Sequence, residues 1–355
     1  MADKKRIAFV LGSLGRGGAE RVISILSRDY AEQGWDVDIL LLLFNKVEYE
    51  LHPRVRVINL SGEGQSRIRR LPSWLGGIRR YIKGSRPDVV LSFAARINII
   101  VQTACMGLGC KLYVSERNDP YSDGRSKLVD LATNILYPRA DGVVFQTKRA
   151  ASYFPKLKNG RIIKNPVSAA RPASAVKNDK LVAVGRLSAQ KNHKLLIDAF
   201  ARIADKFPKY TLEIYGEGEL EQTLKAQCRV LGLEKRVLFM GNVVNLHERI
   251  ADADVFVLSS DYEGLSNALM EAMMMGLPCV STDCAGADEI ICDGENGLLV
   301  PVGDEAAMAE ALDRILGDTA LRERLGACAA SSSEVFKREN ILKQWHLLMD
   351  EGVGV

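Results

Sequence analysis

Along the first half of the chain, short apolar runs recur at intervals that leave room for a helix. The runs Arg6–Leu11, Val37–Leu43, Val55–Asn59, Asp88–Ser92, Lys111–Val114 and Asp141–Gln146 read as strands, and Ala19 to Gln33 as the first helix. Strands alternating with helix-length segments imply a parallel α/β sheet. A stretch rich in Pro, Ala, Ser and polar residues, Asn165–Lys180, breaks the pattern and is predicted to be an interdomain linker. The alternation then restarts. Strands are expected at Leu181–Gly185, Thr211–Tyr215, Val237–Met240, Val255–Leu258 and Cys279–Thr282, with helices over Lys194–Lys206 and Glu219–Leu231. Glu334–Met349 is predicted to form a last helix packing back across the linker. The expectation is two Rossmann-like, doubly wound domains, 1–165 and 166–333, with 334–355 returning to the first. In such sheets ligands bind beyond the carboxyl ends of strands, and the cleft between two domains is the natural site.

Composition bounds this picture without redirecting it. The 355 residues are 47% apolar and 26% charged, as in a soluble globular protein. No apolar run reaches the ~18 residues of a transmembrane helix. The apolar part of the basic N-terminus, Ile7–Leu11, is too short for a secretory signal, so the cytoplasm is expected. Seven scattered cysteines form no C-x-x-C pair and read as reduced thiols. Charge is divided unevenly. Residues 1–170 hold 28 Lys and Arg against 15 Asp and Glu, and the remainder holds 20 against 29. Different partners for the two halves follow. The most basic stretch, Arg67–Lys83, mixes six cations with Trp74, Tyr81 and aliphatics. It suits either an anionic bilayer surface or a solvated helix packed on the sheet through Leu75, Ile78 and Ile82. Nucleic acid fits less well, because no stacking platform accompanies the charge.

The candidate chemistry gathers at strand ends. Ser259–Met275 leaves the strand Val255–Leu258, passes an acidic turn and enters a helix that stops at Gly276. Such a turn aims backbone N–H groups and a helix dipole at an anion. Glu263 lies in the turn and Glu271 in the helix. From Asn267 to Glu271 the helix rises about 6 Å, so its start can hold a diphosphate while Glu271 reaches a ribose. An amphipathic core helix, with Leu265, Leu269, Ala272, Met273 and Met275 inward, explains the same spacing. Arg186 and Lys191 follow the second domain's first strand, where a fork and a mobile point charge suit phosphate oxygens; a charged surface loop is the plain alternative. Tyr215–Glu219 and Gly241–Val243 give glycine-permitted backbone exposure at two more strand ends. Asp252-Ala253-Asp254 could bind a divalent metal, but it precedes its strand instead of following it, and no metal is expected. His52, His193, His247 and His346 are isolated in sequence, which gives a hydrolase triad no support.

Taken together, GGAERV (Gly17–Val22), VGRLSAQKN (Val184–Asn192), YGEGEL (Tyr215–Leu220), EGLSNALMEAMMMGLPCVSTD (Glu263–Asp283), Gly286 with Glu289, and NGLLV (Asn296–Val300) closely resemble the retaining, nucleotide-sugar-dependent glycosyltransferases of family 4, which have the GT-B fold. The branch most similar is bacterial and makes capsule, exopolysaccharide or lipid-linked oligosaccharide. The resemblance implies that Arg186 and Lys191 stabilise the departing diphosphate, that Glu271 binds the ribose, and that Glu263 lies by the donor sugar. It implies backbone contacts to the donor from Gly185, Gly216, Val243, Gly264, Leu265, Ser266 and Asn267, and closure over the diphosphate by Gly17 and Gly18 of the first domain. The donor, expected to be UDP-linked, is a substrate, and no cofactor is expected. The acceptor is a saccharide, free or carried on a polyprenyl diphosphate, with an anionic membrane as a further contact through Arg67–Lys83. One departure stands out. Many relatives place His in the loop after Leu112–Val114, where this chain has Ser115-Glu116-Arg117-Asn118-Asp119. Glu116 or Arg117 is expected to take over part of that role. Rival readings are a nucleotide-sugar epimerase on the same fold, a dinucleotide-dependent oxidoreductase, against which the missing G-x-G-x-x-G counts, and a non-catalytic nucleotide-sugar-binding protein.

Overall fold

The computed structural model describes residues 4–15, 17–62, 67–167, 172–174 and 176–353. Arg16 of the glycine-rich turn, residues 168–171 and 175 of the predicted linker, and the side chains of Arg67 and Ile68 lie outside the described residues. The chain divides into two compact units, Met1–Pro166 with Glu339–Val355, and Val167–Arg338.

In the first unit the order is β1 (Arg6–Leu11), α1 (Gly18–Glu32), β2 (Asp36–Leu41), β3 (Val55–Asn59), α2 (Arg67–Ser85), β4 (Val89–Phe93), α3 (Ala95–Cys105), β5 (Lys111–Ser115), α4 (Lys127–Leu136), β6 (Gly142–Phe145), α5 (Lys148–Ser152) and β7 (Gly160–Ile162). The strands form one parallel sheet in the order β3-β2-β1-β4-β5-β6-β7. The unbroken apolar runs follow from burial on both faces. Ile7, Phe9 and Leu11 of β1 pack into one core layer, and Ala8 and Val10 into the layer on the other side. β7 is too short and too exposed to show in the sequence pattern. In α2, Trp74, Ile78 and Ile82 are buried against the sheet, whereas Leu75 is only partly covered. Arg69, Arg80 and Lys83 face outward, and Arg79 instead donates to the carbonyls of Ala104 (2.8 Å) and Met106 (3.0 Å).

The second unit contains β8 (Lys180–Val184), α6 (His193–Ile203), β9 (Thr211–Tyr215), α7 (Glu221–Val230), β10 (Val237–Gly241), α8 (Leu246–Ile250), β11 (Val255–Leu258), α9 (Asn267–Met275), β12 (Cys279–Thr282), β13 (Leu298–Val300), α10 (Glu305–Gly317) and α11 (Thr319–Ser332). Its six strands are parallel, in the order β10-β9-β8-β11-β12-β13. Both sheets are Rossmann-like. In each the order reverses beside the first strand, between β1 and β4 and between β8 and β11, which opens a crevice at the carboxyl ends there.

Two segments differ from expectation. The predicted linker is tied down where it is described. Val167 donates to the Phe336 carbonyl (3.0 Å), Ala173 to Met275 (2.7 Å) and Ser174 to Ala251 (2.6 Å). Its Pro/Ala/Ser composition hides these backbone bonds. The last helix, α12 (Arg338–Val353), starts later than predicted, after a tight turn at Ser333–Phe336. Ile341, Leu342, Trp345, Leu348 and Met349 of α12 complete a core layer of the first unit. His346 bonds Asp29 at 2.6 Å and packs edge-on against Tyr30. Among the described residues no helix is long and apolar enough to cross a membrane.

Candidate functional site

The loops leaving β8 and β11 lie side by side because those strands are neighbours at the reversal point. Four hydrogen bonds lace them. Asp261 N–H donates to the Gln190 carbonyl (2.9 Å), Gln190 Nε2 to the Tyr262 carbonyl (2.9 Å), Ser259 Oγ to the Lys191 carbonyl (2.9 Å), and Asn192 Nδ2 to Asp261 Oδ1 (2.7 Å). Asn192 sits at φ +42°, which an Asn tolerates, and its side chain caps α6 by accepting from Leu195 N–H. Leu187 is fully buried and anchors the β8 loop, which leaves Arg186 exposed.

Two glycines decide how closely this loop is backed. At Gly216 (φ +137°) a Cβ would lie 2.1 Å from the Gly185 carbonyl oxygen, and at Gly218 it would lie 2.3 Å from that of Leu187. Neither position accepts a side chain without moving the β8 loop, so the Y-G-E-G-E motif acts here by allowing backbone to pack on backbone. Gly185 is itself in contact with Lys191, whose Cδ a Cβ there would meet at 3.0 Å.

Lys191 and Glu263 form an ion pair of 2.5 Å, with side chains only 17% and 10% exposed. Ser260 Oγ also donates to Glu263 Oε1, at 2.7 Å. The sequence placed both charges near the donor but did not foresee that they neutralise each other. After Glu263, the chain passes half-buried Gly264 and buried Leu265 and reaches Ser266, whose Oγ accepts from Leu269 N–H as the N-cap of α9. Asn267 opens the helix. Leu269, Met270, Ala272, Met273 and Met275 are core residues, so the core-helix reading of this stretch holds alongside any ligand role.

Glu271 is buried, and its Oε2 lies 2.8 Å from Nε2 of His247 in α8. This corrects the reading of the histidines as isolated. His247 lies 24 positions upstream of Glu271, and only the adjacency of α8 and α9 brings the two together. His193 is different. It is buried at the start of α6, with its ring against the backbone of Gly185 and Arg186. Burial, aided by the Lys191 charge, pushes its pKa down to about 4. Val243, half-buried after β10, packs on the α9 side of the sheet.

Asp252 and Asp254 are engaged structurally. Lys180 Nζ pairs with Asp252 at 2.5 Å, and Lys180 N–H donates to Asp254 at 3.2 Å. They sit at the amino end of β11, away from the strand-end loops.

In the first unit, Gly17 is the extended N-cap of α1 and Gly18 its first residue. Glu116 and Arg117 leave β5 and turn inward. Tyr137 Oη donates to Glu116 (2.8 Å), and Arg125 lies 3.3 Å from it. Burial raises the Glu116 pKa despite that cation. Arg117 donates to Asn165 Oδ1 (2.8 Å) and stacks 4.4 Å above the Phe93 ring. Its Nε and Nη2 are buried without a partner, and burial pulls its pKa down to about 9. The expectation that either one stands in for a ligand-facing histidine meets side chains held in the interior.

Residues 166–331 match the family described as glycosyl transferases group 1, and residues 17–163 match the glycosyl transferase 4-like domain. A Campylobacter jejuni N-acetylgalactosamine-N,N'-diacetylbacillosaminyl-diphospho-undecaprenol 4-alpha-N-acetylgalactosaminyltransferase is 30% identical, covering 96% of this chain and 98% of its own. A second C. jejuni enzyme, GalNAc-alpha-(1->4)-GalNAc-alpha-(1->3)-diNAcBac-PP-undecaprenol alpha-1,4-N-acetyl-D-galactosaminyltransferase, is 28% identical over 98% of both chains. Among solved structures, a sucrose-phosphate synthase from Thermosynechococcus elongatus superposes with TM-score 0.86 at 20% identity, over 98% of this chain and 99% of that one. Anabaena HepE, solved with UDP and glucose, gives 0.84 at 20% identity, over 97% and 99%. At these identities the structures are alike in fold.

Proposed function

The chain belongs to the group 1 glycosyl transferase family and is a glycosyltransferase, and from that premise we propose that it moves a sugar from a UDP-linked donor to a polyprenyl-diphosphate-linked saccharide, with retention of the anomeric configuration. The observation that carries the donor half is the laced pair of loops at the β8–β11 reversal. They present exposed Arg186, the Lys191–Glu263 pair and the start of α9 on one strand-end surface.

In this reading the diphosphate lies against the start of α9, where the backbone N–H groups of Gly264, Leu265, Ser266 and Asn267 are offered to donor oxygens. Arg186 supplies a planar cation, and Lys191 moves part of its charge from Glu263 to the phosphate. Charge developing on the leaving diphosphate is then met by groups already in place, and no metal is required. Glu263, released from part of its pairing, accepts from donor-sugar hydroxyls. Glu271 accepts from the ribose hydroxyls, one turn into the helix. Gly185, Gly216 and Val243 shape the base and sugar side, and Gly17 and Gly18, at the start of α1, contribute backbone N–H groups. Glu116 and Arg117 frame the acceptor side from within the first unit. Retention follows when the acceptor hydroxyl attacks an oxocarbenium-like sugar from the face the diphosphate leaves.

The acceptor class rests on the two C. jejuni relatives, whose names specify undecaprenyl-diphosphate-linked saccharides. The outward cations of α2 support peripheral contact with an anionic membrane, on its cytoplasmic face. The test is a transfer assay pairing UDP-sugars with an undecaprenyl-diphosphate disaccharide, with and without EDTA, and with NMR assignment of the product anomer. An α-linked product from an α-linked donor, formed in EDTA and lost in Arg186→Ala, is expected. An inverted anomer, or turnover of the nucleotide sugar without acceptor, refutes the reading.

A further inference from the structure

The proposed site contains a contact that the glycosyltransfer reading leaves unused. His247 stands in a short helix after β10, entered through Asn245 at φ +59°, and points its Nε2 at Oε2 of Glu271. Glu271 is buried in α9, and His247 is partly open, with 26% of its side chain exposed. An ionised carboxylate only accepts hydrogen bonds, so at this 2.8 Å contact the imidazole must donate through Nε2. That fixes the ring's protonated nitrogen, and it fixes the carboxylate in turn.

We propose that His247 is a positioning residue for nucleotide recognition. Resting on the reading that Glu271 binds the ribose, it holds one oxygen of that carboxylate so that Glu271 meets a cis-diol already oriented. A Glu side chain left to itself loses rotamer freedom when it grips a ligand, and ordering it beforehand lessens that loss. The hydrogen bond also offsets the burial of the carboxylate beside the Met-rich core of α9. The device therefore acts on the ribose hydroxyls and on no other part of the nucleotide. It predicts discrimination between ribo- and dideoxyribonucleotides, which neither general stability nor phosphate binding would produce.

The experiment measures dissociation constants of UDP and 2′,3′-dideoxy-UDP, by calorimetry, on the full chain and on His247→Ala, His247→Gln and Glu271→Ala. Ordering one rotamer-rich side chain only on binding costs up to roughly 10-fold in affinity. His247→Ala should weaken UDP by about that factor while changing dideoxy-UDP less than about 2-fold. His247→Gln, whose amide nitrogen reaches where Nε2 stands, should restore most of the UDP affinity. Equal losses on both nucleotides, or no loss on either, overturn the proposal. Failure of Gln to restore any UDP affinity overturns it too. Glu271→Ala separates the two levels. If it leaves the UDP to dideoxy-UDP ratio unchanged, the ribose reading itself fails. If it collapses the ratio while His247→Ala does not, only the role of His247 fails. Melting temperatures of the nucleotide-free variants confirm that each is folded.

Discussion

His193 gives the second unit a built-in sensitivity to acid whose size follows from its surroundings. The ring is buried at the start of α6 against the backbone of Gly185 and Arg186, and its pKa falls from 6.5 to about 4. Burial is the larger cause and the Lys191 cation the second. Protonation therefore favours the unfolded chain, where the ring is solvated. A base whose folded pKa is depressed lends stability that is complete above its unfolded pKa. That stability is lost as pH falls from about 6.5 towards about 4. Between pH 7 and pH 4.5 the loss comes to about 2 kcal/mol for this one group. The assay is urea unfolding at both pH values, compared with His193→Leu, which cannot charge. Carboxylates contribute equally to both proteins, so the difference between their pH differences isolates His193. Far-UV circular dichroism is the right probe. Trp35, Trp74 and Trp345, the three tryptophans of the chain, all lie in the first unit, whereas the backbone signal covers both. The parent should lose about 2 kcal/mol more than the variant on acidification. An equal loss in both refutes the claim that His193 is buried neutral.

Three further outcomes follow from the geometry. Lys191→Met leaves the Glu263 carboxylate without its cation and should cost roughly 2–4 kcal/mol. Because Glu263→Gln removes the same pair, the double variant should be less destabilised than the sum of the singles, and additivity in denaturant unfolding would deny the coupling. Gly218→Ala drives a Cβ to 2.3 Å from the Leu187 carbonyl oxygen, which should cost about 1–3 kcal/mol and abolish the UDP-induced rise in melting temperature; an unchanged rise would show that the β8 loop does not hold nucleotide. Arg117→Met removes a buried guanidinium with two unpartnered nitrogens, so stability should stay within about 1 kcal/mol of the parent or increase, while transfer to acceptor falls. Unchanged turnover in both Arg117→Ala and Glu116→Ala would leave this pair a purely structural role.

Most of the strand pattern was legible in the sequence, because strands buried on both faces have to be apolar throughout. β3, β9, β11 and β12 fall where their runs of side chains place them, and the second half repeats the rhythm of the first. β7 and β13 escaped, since three residues at a sheet margin carry too little periodicity. The loop chemistry was legible as residue types: cations after β8, glycines after β9, and a carboxylate one turn into α9. Pairing was not. Lys191 and Glu263 are 72 positions apart, and His247 and Glu271 are 24; nothing in local spacing marks them as neighbours. The strand order decides it, since reversal between β8 and β11 sets two distant loops side by side. Burial likewise belongs to the tertiary structure. It holds Glu116 and Arg117, expected to take over part of a histidine's role, as interior groups and makes His193 neutral at physiological pH, because the cost of a charge depends on what surrounds it and not on its neighbours along the chain.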